Sequence, residues 1–389
     1  MSELVDRPQV AVIGVHGHGA SHVRHVTRLA EVGRVRFVAV ADPQAPEPGT
    51  LPVGVAAYPD LSTLLAATAV DAVVICTPIH THAPLAELAL RAGADVLLEK
   101  PPTPSQAEFE HLSAVVAETG RSCQIGFQVH GSRAARALAG MVADGTLGEL
   151  RGIGAAGAWV RTQAYWRRAR WAGRRTLDGV AVVDGAVTNA FAHSVATALL
   201  VDGSGGADQV QSVETDLYRA NPIEADDTST VRVRTTRGTT VLAALTLCAE
   251  QAGVEPSIIV HGSAGRAVLR YTTDQLEIDG QPTRIEPVRD DLLENLLEHR
   301  ADPGVPLLAP LSATGGFTRV LEAVRLSPPG EIGADLVRWQ GDGPQRHPVV
   351  LEVENWVARA AEDLALFSEL GAPWTRHRRA RPREAEIDK

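Results

Sequence analysis

The first third of the chain alternates short apolar runs with stretches of helical periodicity. The apolar runs are short and rich in β-branched residues, so they predict strands. These strands cover residues 9–13, 36–41, 72–76, 95–98 and 122–126. Apolar residues at helical spacing predict helices over residues 20–31, 61–68, 82–92 and 104–118, and the Pro- and Gly-rich residues 46–54 predict a loop.

Strands that alternate with helices in this way are typical of a parallel sheet covered on both faces. Right-handed crossovers between such strands build a doubly wound sheet, the Rossmann arrangement. We therefore expect an α/β fold whose first domain, a doubly wound parallel sheet, covers residues 1–127.

The pattern changes in the second half of the chain, where apolar and polar residues alternate with a period of two. Residues 229–234 and 239–247 flank a turn at Arg237-Gly238, and residues 256–261 and 266–271 continue the pattern. Successive strands of this kind predict a mainly antiparallel sheet, with helices over residues 185–200, 291–298 and 350–370. We expect a second α/β domain over residues 128–376 and a charged, disordered tail over residues 377–389.

Composition excludes several classes of protein. The 389 residues suffice for two domains, 44% of them are hydrophobic, and the formal net charge is −10. A protein that binds nucleic acid or an anionic membrane needs an excess of cations, so neither partner is expected. No apolar stretch is long enough to be a signal peptide or a membrane span, and three scattered cysteines fit a reducing compartment, so we expect a cytoplasmic protein.

The use of basic residues singles out one position. Lys100 and the terminal Lys389 are the only lysines beside 35 arginines. Arginine is always charged, whereas a buried lysine amine can lose its proton, so Lys100 is a candidate functional group. The alternative is a surface lysine retained by chance. Because Lys100 follows the fourth predicted strand, it falls at the carboxyl edge of the sheet, where α/β proteins bind ligands.

A glycine cluster lies between the first predicted strand and helix. Gly14 and Gly19 hold the first and third positions of the motif GxGxxG, with His16 at the middle position and Gly17 beside it. Such glycines let a backbone approach a pyrophosphate. Asp42 ends the second strand and can accept both ribose hydroxyls while repelling a 2′-phosphate, which favours NAD over NADP. The alternative is a plain strand–helix turn with Asp42 as its cap.

Four histidines crowd the same region, namely His16, His18, His22 and His25. His18 and His22 are four residues apart and share a helix face, as metal ligands do. No carboxylate or cysteine supports them nearby in the sequence, so we expect no metal and interpret them as polar loop and helix residues, some of which donate to phosphate.

Several motifs in order resemble the Gfo/Idh/MocA family of NAD(P)-dependent oxidoreductases. They are the glycine loop, Cys76-Thr77-Pro78 with His82, Glu99-Lys100-Pro101, Gln124-Ile125-Gly126-Phe127, Asp144-Gly145-Thr146-Leu147-Gly148 and residues 189–193. The resemblance covers residues 10–326. It implies a Rossmann domain followed by an α/β domain with a large open sheet, a homo-oligomer (dimer or tetramer), and a sugar, cyclitol or related polyol as substrate.

The resemblance also implies roles for individual residues. Lys100 matches the lysine that contacts the substrate hydroxyl and the nicotinamide, and His193 matches the histidine that exchanges the proton. The family usually has Asp where this chain has Asn189, and often has Asn where it has Ile79. The implied cofactor-binding residues are Gly14, His16, Gly17, His18, Gly19, Asp42, Thr77, Pro78, His82, Glu99, Lys100 and Gln128.

The residues themselves give a separate argument for His193. Asn189 and His193 are four residues apart in a predicted helix and therefore on one face. Hydride transfer from a carbinol carbon needs a group that takes the hydroxyl proton, and histidine suits that role near neutral pH. The alternative is a helix histidine satisfied by its surroundings.

A segment rich in arginine and aromatic residues, 159–175, contains no acid. Its aromatic rings can cover a sugar, and its arginines can bind a carboxylate or phosphate. We expect Trp166, Arg168 and Trp171 to bind substrate, together with Lys100, Asn189 and His193. A solvated basic face or an oligomer contact is the alternative.

Together these observations predict an NAD-linked dehydrogenase in which Lys100 stabilises the substrate oxygen, His193 exchanges the proton and Asn189 orients the substrate. One alternative is an enzyme of the same fold that cleaves glycosides by transient oxidation with no net change of cofactor. The other is a nucleotide-sensing regulatory protein.

Overall fold

A computed structural model describes residues 7–377 and 383–385. The strands are β1 Gln9–Ile13, β2 Arg36–Ala41, β3 Ala56–Tyr58, β4 Ala72–Ile75, β5 Asp95–Leu98, β6 Cys123–Ile125, β7 Leu150–Ala158, β8 Thr176–Leu177, β9 Val180–Ala181, β10 Val210–Arg219, β11 Thr228–Thr235, β12 Thr240–Thr246, β13 Ser257–Gly262, β14 Arg266–Arg270, β15 Gln275–Ile278, β16 Gln281–Pro282, β17 Gly330–Glu331, β18 Val337–Gln340, β19 His347–Val350 and β20 Arg383–Ala385. The helices are α1 Gly19–Glu31, α2 Leu61–Ala67, α3 His82–Arg91, α4 Gln106–Thr119, α5 Arg133–Ala143, α6 Gln163–Trp166, α7 Ala192–Asp202, α8 Leu292–Ala301, α9 Gly315–Leu326, α10 Val353–Asp363 and α11 Phe367–Leu370.

The chain divides into two compact units. Among the described residues, unit 1 holds the chain up to Thr103 together with Ala107–Gly126 and Asp291–Leu311, and unit 2 holds the others. Unit 1 therefore includes the late segment Asp291–Leu311, which comes after most of unit 2 in the sequence. No local pattern predicts this return.

Unit 1 contains the predicted parallel sheet. Six parallel strands lie in the order β3-β2-β1-β4-β5-β6. Strands β2 and β3 are added on one side of β1, and after β3 the chain crosses over to add β4, β5 and β6 on the other side. Strands β4 and β5 are buried along their whole length, as strands covered on both faces must be. The sequence missed β3, a short, half-exposed edge strand just beyond the predicted loop. The predicted doubly wound fold is confirmed.

The returning segment is fixed to the sheet by hydrogen bonds as well as by apolar packing. The buried Gln124 amide on β6 donates to the carbonyl of Leu292 and accepts from the backbone N–H of Ala309. Arg300 on α8 bridges Asp71 and Asp95 at 2.7 and 2.8 Å, just before β4 and at the start of β5. These contacts bind α8 to the sheet of unit 1.

Unit 2 is built on a large open sheet. Its strands follow the order β16-β15-β14-β13-β7-β12-β11-β10-β17, with β20 also paired to β10. The β7–β12 and β10–β17 pairs are parallel and the other pairs are antiparallel. Helix α10 packs on β7 and β12, and glycines in β7 permit this approach, since a Cβ on Gly154 would lie 2.1 Å from the carbonyl oxygen of Ala361. The mainly antiparallel second sheet is as predicted.

Two predicted helices of unit 2 are interrupted in the structure. The helix expected over residues 350–370 breaks at Leu364, whose φ of 53° is incompatible with a continuing α-helix, giving α10 and α11. The helix expected over residues 185–200 begins as a π-helical turn, Ala186–Ala190, and α7 starts after Phe191. Asn189 and His193 therefore do not share one α-helix, which corrects the spacing argument made from the sequence.

The carboxyl-terminal segment 377–389 was predicted to be disordered. Within it the structure assigns strand β20, and residues 378–382 and 386–389 lie outside the described residues. Among the helices of the described residues, none has the length and apolarity needed to cross a membrane.

We expect Gln124→Leu to destabilise unit 1 by about 1–3 kcal/mol, because it leaves the buried Ala309 N–H without its acceptor and removes the second donor to the Leu292 carbonyl. Urea unfolding followed by circular dichroism measures the change, with the exposed Gln345→Leu as matched control. Equal stability of the two variants would contradict the assigned role of the Gln124 amide.

Candidate functional site

The glycine loop of unit 1 requires glycine at two positions for steric reasons. Gly14 has a φ of +81°, and a Cβ there would lie 2.2 Å from the carbonyl oxygen of Cys76. A Cβ on Gly19 would lie 2.0 Å from the carbonyl oxygen of Gly14. Gly17 also has a positive φ, +55°, but faces open space. The loop is thus a tight turn pressed against β4, with its outer side available to a ligand.

Asp42 lies beside this loop at the end of β2. One carboxylate oxygen accepts from the backbone N–H of Val15 at 2.9 Å, and the other accepts from Gln44 at 2.9 Å. His16 lies on the same side, with its Nε2 atom 3.0 Å from the Gln44 carbonyl oxygen. The structure therefore brings the predicted acid and the glycine loop together.

A cavity of about 420 Å³ opens next to the loop. Its lining residues include Val15, His16, Gly17, Pro46 and Leu51. The Pro- and Gly-rich loop predicted over residues 46–54 thus supplies one wall of a cavity at the glycine loop. Such a mixed polar and apolar wall is typical of sites for small ligands.

Glu99 connects the end of β5 to helix α1. Its side chain is buried, at 7% exposure, and its Oε1 atom lies 2.9 Å from Nε2 of His22 and 3.4 Å from Nε2 of His18. Burial alone would raise the pKa of Glu99, but the hydrogen bonds from His18 and His22 outweigh it and hold the pKa below its usual range. The same contact raises the pKa of His18 above 6.5, against the opposing effect of burial.

This cluster corrects the expectation that no carboxylate supports His18 and His22. Ligand atoms of His18, His22 and Glu99 all lie within 4.8 Å of one another. The sequence could not reveal this cluster, since Glu99 is 77 positions from His22 and the two side chains meet only when the parallel sheet forms. Gly126 leaves the space, because a Cβ there would lie 3.0 Å from the Glu99 carboxyl carbon.

Lys100 follows Glu99 directly and its backbone N–H donates to the Glu99 carboxylate at 3.1 Å. The buried His82 lies between the loops that contain Thr77 and Pro101. Its Nδ1 atom is 2.8 Å from the Pro101 carbonyl oxygen, and its Nε2 atom is 2.8 Å from the Thr77 carbonyl oxygen. Burial lowers the pKa of His82, in spite of these two carbonyls. The predicted residues Thr77, Pro78, His82, Glu99 and Lys100 are therefore joined at the carboxyl ends of β4 and β5. Gln128, predicted with them, belongs to unit 2.

His193 lies in the first turn of α7 in unit 2 and packs on an aromatic cluster. Its ring meets Phe127 edge-on, with centroids 5.6 Å apart. Phe127 in turn stacks on His130 at 5.5 Å and contacts Phe317 at 5.2 Å. Burial lowers the pKa of His130 to about 4, so Phe127 packs against a neutral imidazole. This apolar support fixes one side of His193.

Asn189 is held by a residue that sequence reasoning missed. Its Nδ2 atom donates to Oδ1 of Asp184 at 2.7 Å, and the Asp184 side chain is only 1% exposed. The other carboxylate oxygen accepts from the backbone N–H of Gly173 at 2.7 Å. An isolated acid ahead of a glycine carries no sequence signal, so only the fold could reveal this partner.

The arginine- and aromatic-rich segment places its predicted residues in different surroundings. Arg168 lies 3.7 Å from the ring centroid of Tyr165 and 4.6 Å from that of Trp171, and it donates to Asp184 at 3.3 Å. Arg168 is thus committed to contacts within unit 2. Trp166, by contrast, lines a cavity.

This cavity, here called the basic cavity, has a volume of about 600 Å³. Its walls carry a cluster of arginines and a single acidic side chain: Arg167, Arg170, Arg174, Arg219 and Glu224. Arg167 donates to Gln163 and has no acidic partner among the residues the structure describes. The other three arginines pair with acids: Arg170 with Asp178, Arg174 with Glu224 and Arg219 with Glu331. Arg167 therefore supplies the unbalanced positive charge of the basic cavity.

Comparison with known families agrees with this architecture. Residues 9–127 match the profile described as "Oxidoreductase family, NAD-binding Rossmann fold", and residues 135–268 match the profile described as "GFO/IDH/MocA C-terminal domain". The chain belongs to the Gfo/Idh/MocA family, and its amino-terminal domain is the NAD-binding Rossmann domain of that oxidoreductase family.

Curated relatives match over part of the chain. An inositol 2-dehydrogenase of Leifsonia xyli subsp. xyli is 34% identical over 143 residues, which are 36% of this chain and 42% of that protein. A 4-carboxy-2-hydroxymuconate-6-semialdehyde dehydrogenase of a Sphingobium species is 32% identical over 117 residues, 29% of this chain and 37% of that protein. The matches thus span less than half the length of these relatives.

Solved structures share the fold over most of the chain. The WlbA dehydrogenase of Bordetella pertussis, solved with NADH and UDP-GlcNAcA, has a TM-score of 0.68 and 21% identity, covering 82% of this chain and 95% of that one. The aldose-aldose oxidoreductase of Caulobacter crescentus has a TM-score of 0.65 and 19% identity, covering 82% of this chain and 96% of that one. At such identities the likeness concerns the fold.

We expect Glu99→Gln to lower the pKa of His18 toward 6.5, because glutamine keeps the shape of Glu99 but removes the charge that favours the imidazolium. Proton NMR titration of the imidazole signals measures this. His25 is an internal control, since Asp291 raises its pKa independently of Glu99. An unchanged His18 titration would show that Glu99 does not hold this ring.

Proposed function

We propose that the chain is an NAD-dependent dehydrogenase that transfers a hydride between the nicotinamide and a CH–OH group of a sugar, cyclitol or related polyol. One observation carries the proposal: the single interior lysine follows β5 at the carboxyl edge of the sheet that also presents the glycine loop and Asp42. The names of the relatives, inositol 2-dehydrogenases among them, support the substrate class.

Different residues of unit 1 are assigned to different parts of the cofactor. The backbone of the glycine loop would hold the pyrophosphate, and the N-terminus of α1 would add its positive dipole end. Asp42 takes the ribose hydroxyls and disfavours a 2′-phosphate, so NAD is preferred over NADP. His82 is buried, so its part is to hold the loops at Thr77 and Pro101 in place.

The chemistry requires two further groups. Bound NAD would supply the hydride acceptor, so that the carbinol carbon loses a hydride and its hydroxyl a proton to give a carbonyl. Lys100 donates a hydrogen bond to the substrate oxygen and stabilises its developing negative charge. His193 takes the proton, and Asn189 orients the substrate. The reverse reaction returns proton and hydride to the ketone.

Cytoplasmic location and a homo-oligomeric state, dimer or tetramer, remain predictions of the sequence. Size-exclusion chromatography with light scattering tests the second of them directly.

We expect Lys100→Met to keep NAD binding and to lower kcat/KM by about 100- to 1000-fold, the usual cost of losing one donor to a developing oxyanion. The assay follows reduced nicotinamide with a panel of polyols, sugars and uronic acids, with NAD and with NADP. His193→Ala is measured alone and combined with Lys100→Met. Non-additive losses would show that both groups serve one reaction.

Other outcomes of this assay select the alternatives. Turnover of a glycoside without net reduction of NAD would indicate transient oxidation. NAD binding without turnover of any compound would indicate a regulatory protein. If neither NAD nor NADP binds, the proposal is wrong.

The basic cavity predicts a preference for substrates that carry a carboxylate or phosphate. We expect Arg167→Gln combined with Arg170→Gln to raise KM about tenfold for an anionic substrate and to leave its neutral counterpart unchanged, because only the former loses a charge-assisted hydrogen bond. A hexose against its uronic acid, and inositol against its monophosphate, supply matched pairs. Arg359→Gln, on the exposed part of α10, is the control.

A further inference from the structure

Asp184 is one of several buried aspartates of unit 2 and the one that contacts Asn189. Its carboxylate is buried and divides its two oxygens between different elements. Oδ1 accepts from Asn189 Nδ2, and Oδ2 accepts from the Gly173 backbone N–H, each at 2.7 Å. Arg168 adds a longer contact of 3.3 Å to Oδ2. A charge withdrawn from water to this degree needs such partners, so the arrangement is costly unless each contact is kept.

The backbone aims this carboxylate inward. Val183 has a φ of 39°, a conformation that β-branched residues rarely adopt, and its carbonyl accepts from the Thr188 hydroxyl at 2.5 Å. Next to Asp184, Gly185 admits a second buried acid, since a Cβ there would lie 2.2 Å from Oδ1 of Asp226. Asp226 also accepts from the Val187 N–H at 3.2 Å. The strained turn is therefore held from both sides.

The contact fixes which way the Asn189 amide faces. An ionised carboxylate only accepts hydrogen bonds, so the amide group of Asn189 must present Nδ2 to it. Because Oδ1 and Nδ2 branch from one carbon, Oδ1 then faces away from Asp184. Asn189 is thereby set as a hydrogen-bond acceptor on its other side, the property that an aspartate at this position would also have.

We propose that Asp184 is a positioning residue that acts through Asn189. It sets the amide so that Oδ1 accepts a hydrogen bond from the reacting site, and it places the negative charge behind the Asn189 side chain, where an aspartate at position 189 would carry that charge itself. This inference rests on the proposed function and assigns to the Asp184–Asn189 pair the task that the family usually gives to one aspartate.

Exchanging the two side chains tests the proposal. Asp184→Asn cannot enforce the amide orientation, and we expect kcat/KM to fall roughly 10- to 100-fold, mainly through kcat, with NAD affinity unchanged. Asn189→Asp alone places two carboxylates in contact, which cannot both be ionised, and is expected to lose as much. The double variant Asp184→Asn with Asn189→Asp restores one acid and one amide, and we expect it to recover most of the activity.

Two controls separate this role from a merely structural one. Arg168→Gln removes the longer contact to Asp184 and loosens the aromatic segment, but it keeps both side chains of the Asp184–Asn189 bond. Asp178→Asn removes an exposed acid that pairs with Arg170 of this segment. If Asp184 only anchors that segment, Arg168→Gln will match Asp184→Asn and the double variant will recover nothing. Thermal unfolding and NAD binding of each variant identify any that fails to fold.

The outcomes distinguish the role of Asp184 from the proposed function itself. Wild-type turnover with loss in both single variants and recovery in the double variant supports the proposal. Wild-type turnover with a double variant no better than Asp184→Asn overturns it and leaves the proposed function intact. A wild-type chain that binds NAD but turns over no polyol overturns the proposed function and this inference with it.

Discussion

The nucleotide-binding half of the molecule depends on one buried carboxylate. A charge at the end of a central strand is tolerated only when its oxygens are hydrogen-bonded, and Glu99 meets this condition through His18, His22 and the Lys100 N–H. These contacts connect α1 to the loop after β5. The Lys100 backbone is thus hydrogen-bonded to the same carboxylate, and a side chain at position 126 would crowd it, since a Cβ there would lie 3.0 Å from the Glu99 carboxyl carbon.

Unit 2 uses the same principle on another pair of elements. Asp184 connects the turn before α7 to the aromatic segment through Asn189 and Gly173, and Phe127 supports the ring of His193. In each unit a buried acid is hydrogen-bonded to a residue proposed to take part in the reaction: Glu99 to Lys100 in unit 1, and Asp184 to Asn189 in unit 2. Rigid placement of that kind is what hydride and proton transfer demand, since small errors of position cost large factors in rate.

The sequence predicted most of the fold because its signals are local. The alternation of buried strands and helices gave the parallel sheet, and the period of two gave the open sheet. The glycine loop and Asp42 were found for the same reason, because each needs only its neighbours along the chain. Two predicted helices, over residues 185–200 and 350–370, are interrupted in the structure, at Phe191 and at Leu364, where the backbone leaves helical geometry.

The sequence by itself determined the order of elements, the family and the candidate lysine, since periodicity and motif spacing depend on near neighbours. Only the tertiary structure decided that α8 returns to the first sheet, that Glu99 joins two histidines, and that Asp184 holds Asn189. The first two contacts join residues that are distant along the chain. The third joins two residues on either side of an irregular turn. No local pattern encodes them, because their energy is available only once burial has excluded water.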